Sequence, residues 1–150
     1  MAHEKSLLIA GLLLIFFFNA TGPSSANQEI TVKEYLEKAN NHLKADQHFS
    51  AGDALKEATR LGGAKHPSLH MRLAILYYGL GLIPDAITEG EKAVSLVPSS
   101  KRYKYDLAKF YLVDKQLNKA ENEFSTLLKL DPGFALGYYY LAEVYFQKKQ

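Results

Sequence analysis

Between Pro67 and Phe134 the apolar positions recur at a constant offset. Leu73, Ala74, Tyr77, Ala86, Ala93 and Pro98 return one period later as Leu107, Ala108, Tyr111, Ala120, Leu127 and Pro132. Small residues, aromatics and a closing Pro at set places predict a helix, a turn and a second helix in each unit, 67–100 and 101–134. The turns fall near Gly81-Leu82 and Lys115-Gln116. Pro84 suits the first turn of a helix, where its missing N–H would be unpaired anyway. Gly90 stands where the next unit has Phe124, which costs about 1 kcal/mol of helix propensity and leaves a gap for a neighbouring aromatic to fill. Leu127 replaces the Ala of the preceding unit, so slight splaying is expected there.

The same pattern extends in both directions. Upstream, Thr31 and Glu34 make a capping box that predicts a helix starting at Thr31, with Tyr35, Leu36, Ala39 and Leu43 on its apolar stripe. A second helix carries Ala51, Leu55 and Ala58 on one face before Gly62-Gly63 and Pro67 stop it. The step from Ala51 to Ala86 exceeds the period by a single position, so this is a diverged unit, about 32–65, with one inserted linker residue. His42 stands there in place of Tyr77 and Tyr111, and the closing Pro is absent. Downstream, Leu141, Ala142 and Tyr145 take the positions of Leu107, Ala108 and Tyr111 and open a partial unit, 135–150. Its helix is apolar nearly all round, whereas a solvent-facing cap has one polar face, so continuation of the repeat array, self-association or cover by a partner is expected at this helix.

These features resemble the tetratricopeptide repeat. The resemblance implies an all-α fold, a right-handed superhelix of antiparallel helix pairs with about three and a half repeats. It also implies that the first helix of each repeat lines a concave groove for a protein or peptide partner. Carried over by register, the groove positions are Lys33, Leu36, Asn40 and Lys44; Met71, Arg72, Ile75 and Tyr78; Arg102, Tyr105, Asp106, Lys109 and Leu112; and Leu136, Tyr139, Tyr140 and Glu143. The candidate site is Arg72, Ile75, Tyr78, Arg102, Tyr105, Lys109, Leu136, Tyr139 and Tyr140. Tyr78, Tyr105 and Tyr139 are its expected anchors, free of the core, because aromatic side chains concentrate binding energy at interfaces. The alternative is that the groove tyrosines pack on side chains of the adjacent first helices. Leu36 and Asp106 stand where the cations of a Lys/Asn/Arg carboxylate clamp belong, so the clamp of the chaperone-binding members is not expected. The stretch from Tyr35 to Ala58 also resembles the opening repeats of bacterial tetratricopeptide proteins encoded with exopolysaccharide-export and exosortase systems.

Composition changes this picture in one respect. Leu7–Phe18 is an unbroken apolar run, too short for a bilayer span of roughly 20 residues and followed by Ser24-Ser25-Ala26. Residues 1–26 therefore read as a signal peptide cleaved after Ala26, with the repeat domain at 27–150 and no membrane span after cleavage. The alternative is an uncleaved N-terminal anchor, since the stretch before the run is only mildly basic. An exported, periplasmic or cell-envelope protein is expected. The chain has no cysteine, which excludes disulfides and CxxCH haem attachment, and its net charge of +2 gives no field that would favour nucleic acid. No nucleophile–base pair or catalytic carboxylate pair stands out: Glu89, Glu91, Glu121 and Glu123 read as solvated surface, as does the basic cluster Lys101, Arg102 and Lys104. His66 and His70 are too few for a metal site. The expectation is a non-enzymatic scaffold without cofactors. The alternatives are a spacer in polysaccharide-export machinery and a carbohydrate-binding module that stacks sugars on the groove tyrosines.

Overall fold

The computed structural model describes residues 25–62 and 65–150, and every regular element among them is a helix. Residues 1–24 and 63–64, and with them most of the expected leader, lie outside this description. The helices are α1 (Ser25–Lys44), α2 (His48–Gly62), α3 (Pro67–Gly79), α4 (Ile83–Leu96), α5 (Lys101–Val113), α6 (Leu117–Leu130) and α7 (Ala135–Lys148). Helices α3, α5 and α7 start one sequence period apart, as do α4 and α6, whereas α2 precedes α4 by one position more. Each helix packs chiefly on its neighbours in sequence, and among the first helices α3 also touches α5 and α5 touches α7. The result is a superhelix of antiparallel pairs.

One boundary differs from the sequence expectation. Helix α1 is already helical at Ser25, where the described residues begin, so Thr31 and Glu34 lie inside it and not at its start. The reason is local: Ser25–Ile30 contains neither Pro nor Gly, and nothing there halts propagation towards the N-terminus.

The turns within the helix pairs share one device. Asp46, Gly81 and Lys115 have φ of 58°, 74° and 61°, the left-handed conformation that closes a helix end. The N–H one residue beyond each reaches back to an equivalent carbonyl. Gln47 donates to His42 at 2.8 Å, Leu82 to Tyr77 at 2.9 Å and Gln116 to Tyr111 at 2.9 Å. Only the middle turn uses glycine, for which this conformation is free of steric cost.

Packing follows the repeat. Ala74, Ala86, Ala93, Ala108 and Ala120 are fully buried and let backbones approach, while Leu107, Tyr111, Phe124 and Leu127 fill the space between them. A large side chain enclosed this completely contributes about 1.5–3 kcal/mol. The gap at Gly90 is filled from α5: a Cβ there would meet Leu107 at 3.1 Å and Phe110 at 3.4 Å. A second, smaller cluster of Ala39, Ala54, Leu55 and Leu73 joins α1 and α2 to α3, and Tyr77 packs on both clusters.

Candidate binding groove

At the junction of α1, α2 and α3 lies an apolar cleft of about 370 Å³, lined by Leu43, Leu55, Ile75, Leu76 and Leu80, with His48 and Arg72 as its polar members. A smaller cleft of about 180 Å³ adjoins it between α3 and α5, where Met71, Tyr103, Arg102 and Asp106 contribute. Arg72 and Ile75 line both clefts, which therefore adjoin. Gly79 keeps the larger cleft open, since nothing stands within 4 Å of where its Cβ would be. Ile75 is 42% exposed and offers its side chain to the groove. Arg72 is held by a neutral partner, its Nη2 donating to Asn40 Oδ1 at 2.7 Å. Arg102 instead donates from Nε to the buried Asp106 at 2.9 Å, and that bond and the charge behind it raise the guanidinium's proton affinity.

The expected tyrosines are differently placed. Tyr78 packs on Phe110 at 5.0 Å between ring centroids. Tyr105 meets Phe134, Tyr140 and Phe124 edge-on at 5.3, 5.8 and 6.5 Å, and Phe124 stacks on Tyr140 at 5.7 Å. Both tyrosines are half-buried against the main core, so the expectation that they stand free of it is corrected. Neighbouring first helices come close enough to pair their rings, and each ring buries more area on its neighbour than in water. Burial, with Tyr140 alongside, pushes the Tyr105 hydroxyl up to about 12.

Lys109 completes this aromatic block. Its ammonium lies 5.4, 5.7 and 5.8 Å from the ring centroids of Tyr105, Tyr78 and Tyr140, within reach of their negative faces. The structure thus brings Tyr78, Tyr105, Lys109 and Tyr140 together in one half of the groove, and Arg72, Ile75 and Arg102 in the other. Tyr139 rests on Tyr140 at 5.1 Å yet is 66% exposed, and Leu136 is also exposed. Of the further positions carried over by register, Met71 and Leu112 are buried in the main core. Leu36 packs on the smaller cluster, Asp106 is engaged by Arg102, and Glu143 accepts from Gln147 Nε2 at 2.6 Å.

The carboxylates expected on a solvated surface are instead partnered across helices. His70 Nδ1 meets Glu89 Oε2 at 2.6 Å, and at the matched positions of the next repeat the buried Lys104 meets Glu123 at 3.1 Å. Burial raises the Glu89 carboxyl, but bonds from Lys92 and His70 outweigh it and hold the group below its usual range. Glu91 accepts from the Tyr111 hydroxyl and from Lys119, and Glu121 from Tyr145 and Lys148. The basic cluster is likewise engaged, since Lys101 pairs with Asp131 at 2.8 Å and Arg102 and Lys104 have their own partners. Solvation failed as an expectation for Glu89, Glu123 and Lys104, because i, i+2 spacing describes one isolated helix whereas here second helices are flanked on two sides. Glu91, Lys101 and Arg102 stay exposed as expected. The signal was present in the register, as His70 and Lys104, and Glu89 and Glu123, occupy equivalent places. Among the described residues no group of three or more His, Cys, Asp or Glu is placed to hold a metal.

No family model matches the chain, and no curated protein matches it in sequence. Solved structures do. The first TPR of Spaghetti (RPAP3), bound to the HSP90 peptide SRMEEVD, superposes with a TM-score of 0.71 at 18% identity, over 80% of this chain and 94% of that one. MamA superposes at 0.74 with 22% identity, over 79% of this chain and 64% of that one. YrrB, described as a TPR protein with an unusual peptide-binding site, superposes at 0.72 with 20% identity, over 79% of this chain and 60% of that one. At such identities the likeness speaks for the backbone alone. Together with the repeated helix starts and the repeated turns, it settles the architecture: the chain adopts the tetratricopeptide-repeat fold.

Proposed function

We propose that this chain is a non-enzymatic scaffold that holds a segment of a partner protein in the groove along α1, α3 and α5. The observation that carries the reading is the pair of adjoining clefts that share Arg72 and Ile75, mainly apolar in lining with Arg72 and Arg102 among their polar members. A groove of this kind suits an extended or helical segment, which places apolar side chains inside and leaves polar ones at the edge. Structures of this fold bound to HSP90 and HSP70 peptides support the same use. The specific clamp is not carried over, because Leu36 and Asp106 stand at two of its cationic positions.

The setting we propose is the cell envelope, with residues 1–26 as leader and 27–150 as the mature domain. What supports it is the short apolar run Leu7–Phe18 followed by the small residues Ser24-Ser25-Ala26. No described helix is long and apolar enough to cross a membrane. A photo-crosslinking side chain at Ile75 tests the binding role, with the same group at the exposed Lys129 of α6 as control. A discrete partner adduct at Ile75 and none at Lys129 is expected; equal labelling would refute the groove. N-terminal sequencing of the secreted or periplasmic fraction tests export, and an intact Met1 would remove the cleavage reading.

A further inference from the structure

Arg72 and Lys109 are held in this groove without a carboxylate. Arg72 is oriented by Asn40, a neutral amide, and Lys109 by the faces of three tyrosine rings. Among the described residues neither forms an ion pair, although Lys101, Arg102, Lys104, Lys119 and Lys148 all do. The carboxylates on the same side are engaged, Asp106 by Arg102 and Glu143 by Gln147. The fold has therefore fixed two positive charges with neutral contacts and left their electrostatic complement to come from outside. Between them lies the exposed Ile75, beside the apolar cleft of about 370 Å³, a volume at the lower end of the usual range for ligand pockets.

From this arrangement we infer that the groove's partner is an acidic protein segment carrying a large apolar side chain. That side chain enters the α1–α2–α3 cleft beside Ile75, and flanking Asp or Glu residues meet Arg72 and Lys109. The inference rests on the binding reading above and gives it a chemistry. Charge complementarity sets the sign of the partner, since an approaching cation meets both Arg72 and Lys109 while an approaching carboxylate completes both. The apolar cleft distinguishes a peptide from a plain polyanion, which brings charge but nothing to bury. Opposite charges here also steer association, so the encounter weakens as salt rises.

The test is fluorescence anisotropy on the protein with a labelled peptide in which Glu and Asp flank a central Leu-Phe pair. Three competitors are compared: the same peptide with Lys for its acids, the same peptide with Ala-Ala at its centre, and alginate as a polysaccharide anion. Saturable binding of the acidic Leu-Phe peptide, at least about tenfold tighter than all three, is expected. Arg72→Gln, which keeps an amide for Asn40, and Lys109→Met, which keeps the stem among the rings, should each weaken it about tenfold with an unchanged circular dichroism spectrum. Lys129→Ala on α6 should leave it unaltered. Equal affinity for the Lys peptide, the Ala-Ala peptide or alginate would overturn the inference, as would folded Arg72→Gln and Lys109→Met variants that bind like the wild type. If Ile75 cross-links a segment that is basic or neutral, the scaffold reading stands and this chemistry falls. If Ile75 cross-links nothing, both fall.

Discussion

Ile75 and Lys109 occupy matched positions on α3 and α5, one repeat apart, yet their surroundings are opposite. Around Ile75 the groove is open, because Gly79 and the spacing of α1, α2 and α3 leave a cleft with an exposed side chain at its edge. Around Lys109 the groove is filled, because Tyr78, Tyr105 and Tyr140 close on its ammonium and on each other's neighbours. The same backbone unit thus presents an open apolar cleft in one place and a cation set among packed rings in the next. What separates them is side-chain volume: small or aliphatic residues leave room, and rings on adjacent first helices consume it. An aromatic in the groove is therefore no guide to binding until its neighbours are known.

The largest expected effect comes from the joint's foundation. Tyr111→Ala opens a cavity in the main core and should lower stability by about 3–5 kcal/mol, read as a fall in melting temperature. Burial first, and then the bond to Glu91, raises the Tyr111 hydroxyl well above its ordinary value near 10. A raised folded value means the contribution is complete below about 10 and lost as pH climbs beyond it. Tyr111→Phe should accordingly flatten the alkaline limb of a stability profile, and an unchanged limb would show that another group controls it.

Next comes the direct contrast between packed and exposed rings. Tyr105→Ala should cost about 2–4 kcal/mol, in the range of a part-enclosed aromatic, while Tyr139→Ala should stay within about 0.5 kcal/mol. If chemical denaturation finds the two alike, the division of the groove into a filled half and an open half is wrong.

The repeated cross-helix pair supplies a smaller effect. Glu89 is held below its usual range, so its contribution is present above the unfolded value and disappears as pH falls through the folded one. Glu89→Gln should flatten the acid limb of the stability profile below about pH 4.5. A profile unchanged between the two proteins would show that the His70–Glu89 joint carries no net linkage. Smallest is the turn between α3 and α4. Gly81→Ala meets no atom within 4 Å, so its cost of about 1 kcal/mol is purely that of a left-handed backbone. The same change at an exposed helical position would be neutral or better, and an equal result at Gly81 would contradict the assigned φ.

The all-α fold and its helix-pair period were legible in the residues because each is a local property. A constant offset between like residues, alanines where backbones meet, and Gly81 at a left-handed turn are all written in short stretches of chain. Even the extra linker residue showed, as the longer step from Ala51 to Ala86 and from α2 to α4. The groove was legible only as an address. Register named Arg72, Ile75 and Arg102, which meet in the clefts, but it gave Tyr78 and Tyr105 the same standing as Tyr139. Whether a ring is buried depends on residues one repeat away, such as Phe110 against Tyr78 and Tyr140 against Tyr105, and on how closely two helices approach. The fate of a charge is equally non-local. Glu123 finds Lys104 across a helix pair, while Lys109, on the same helix as Lys104, finds only rings. Local periodicity decides which residues turn inward along one helix, because it is geometry within a single turn. Packing between helices decides what each one meets, because that is geometry between segments the chain has brought together.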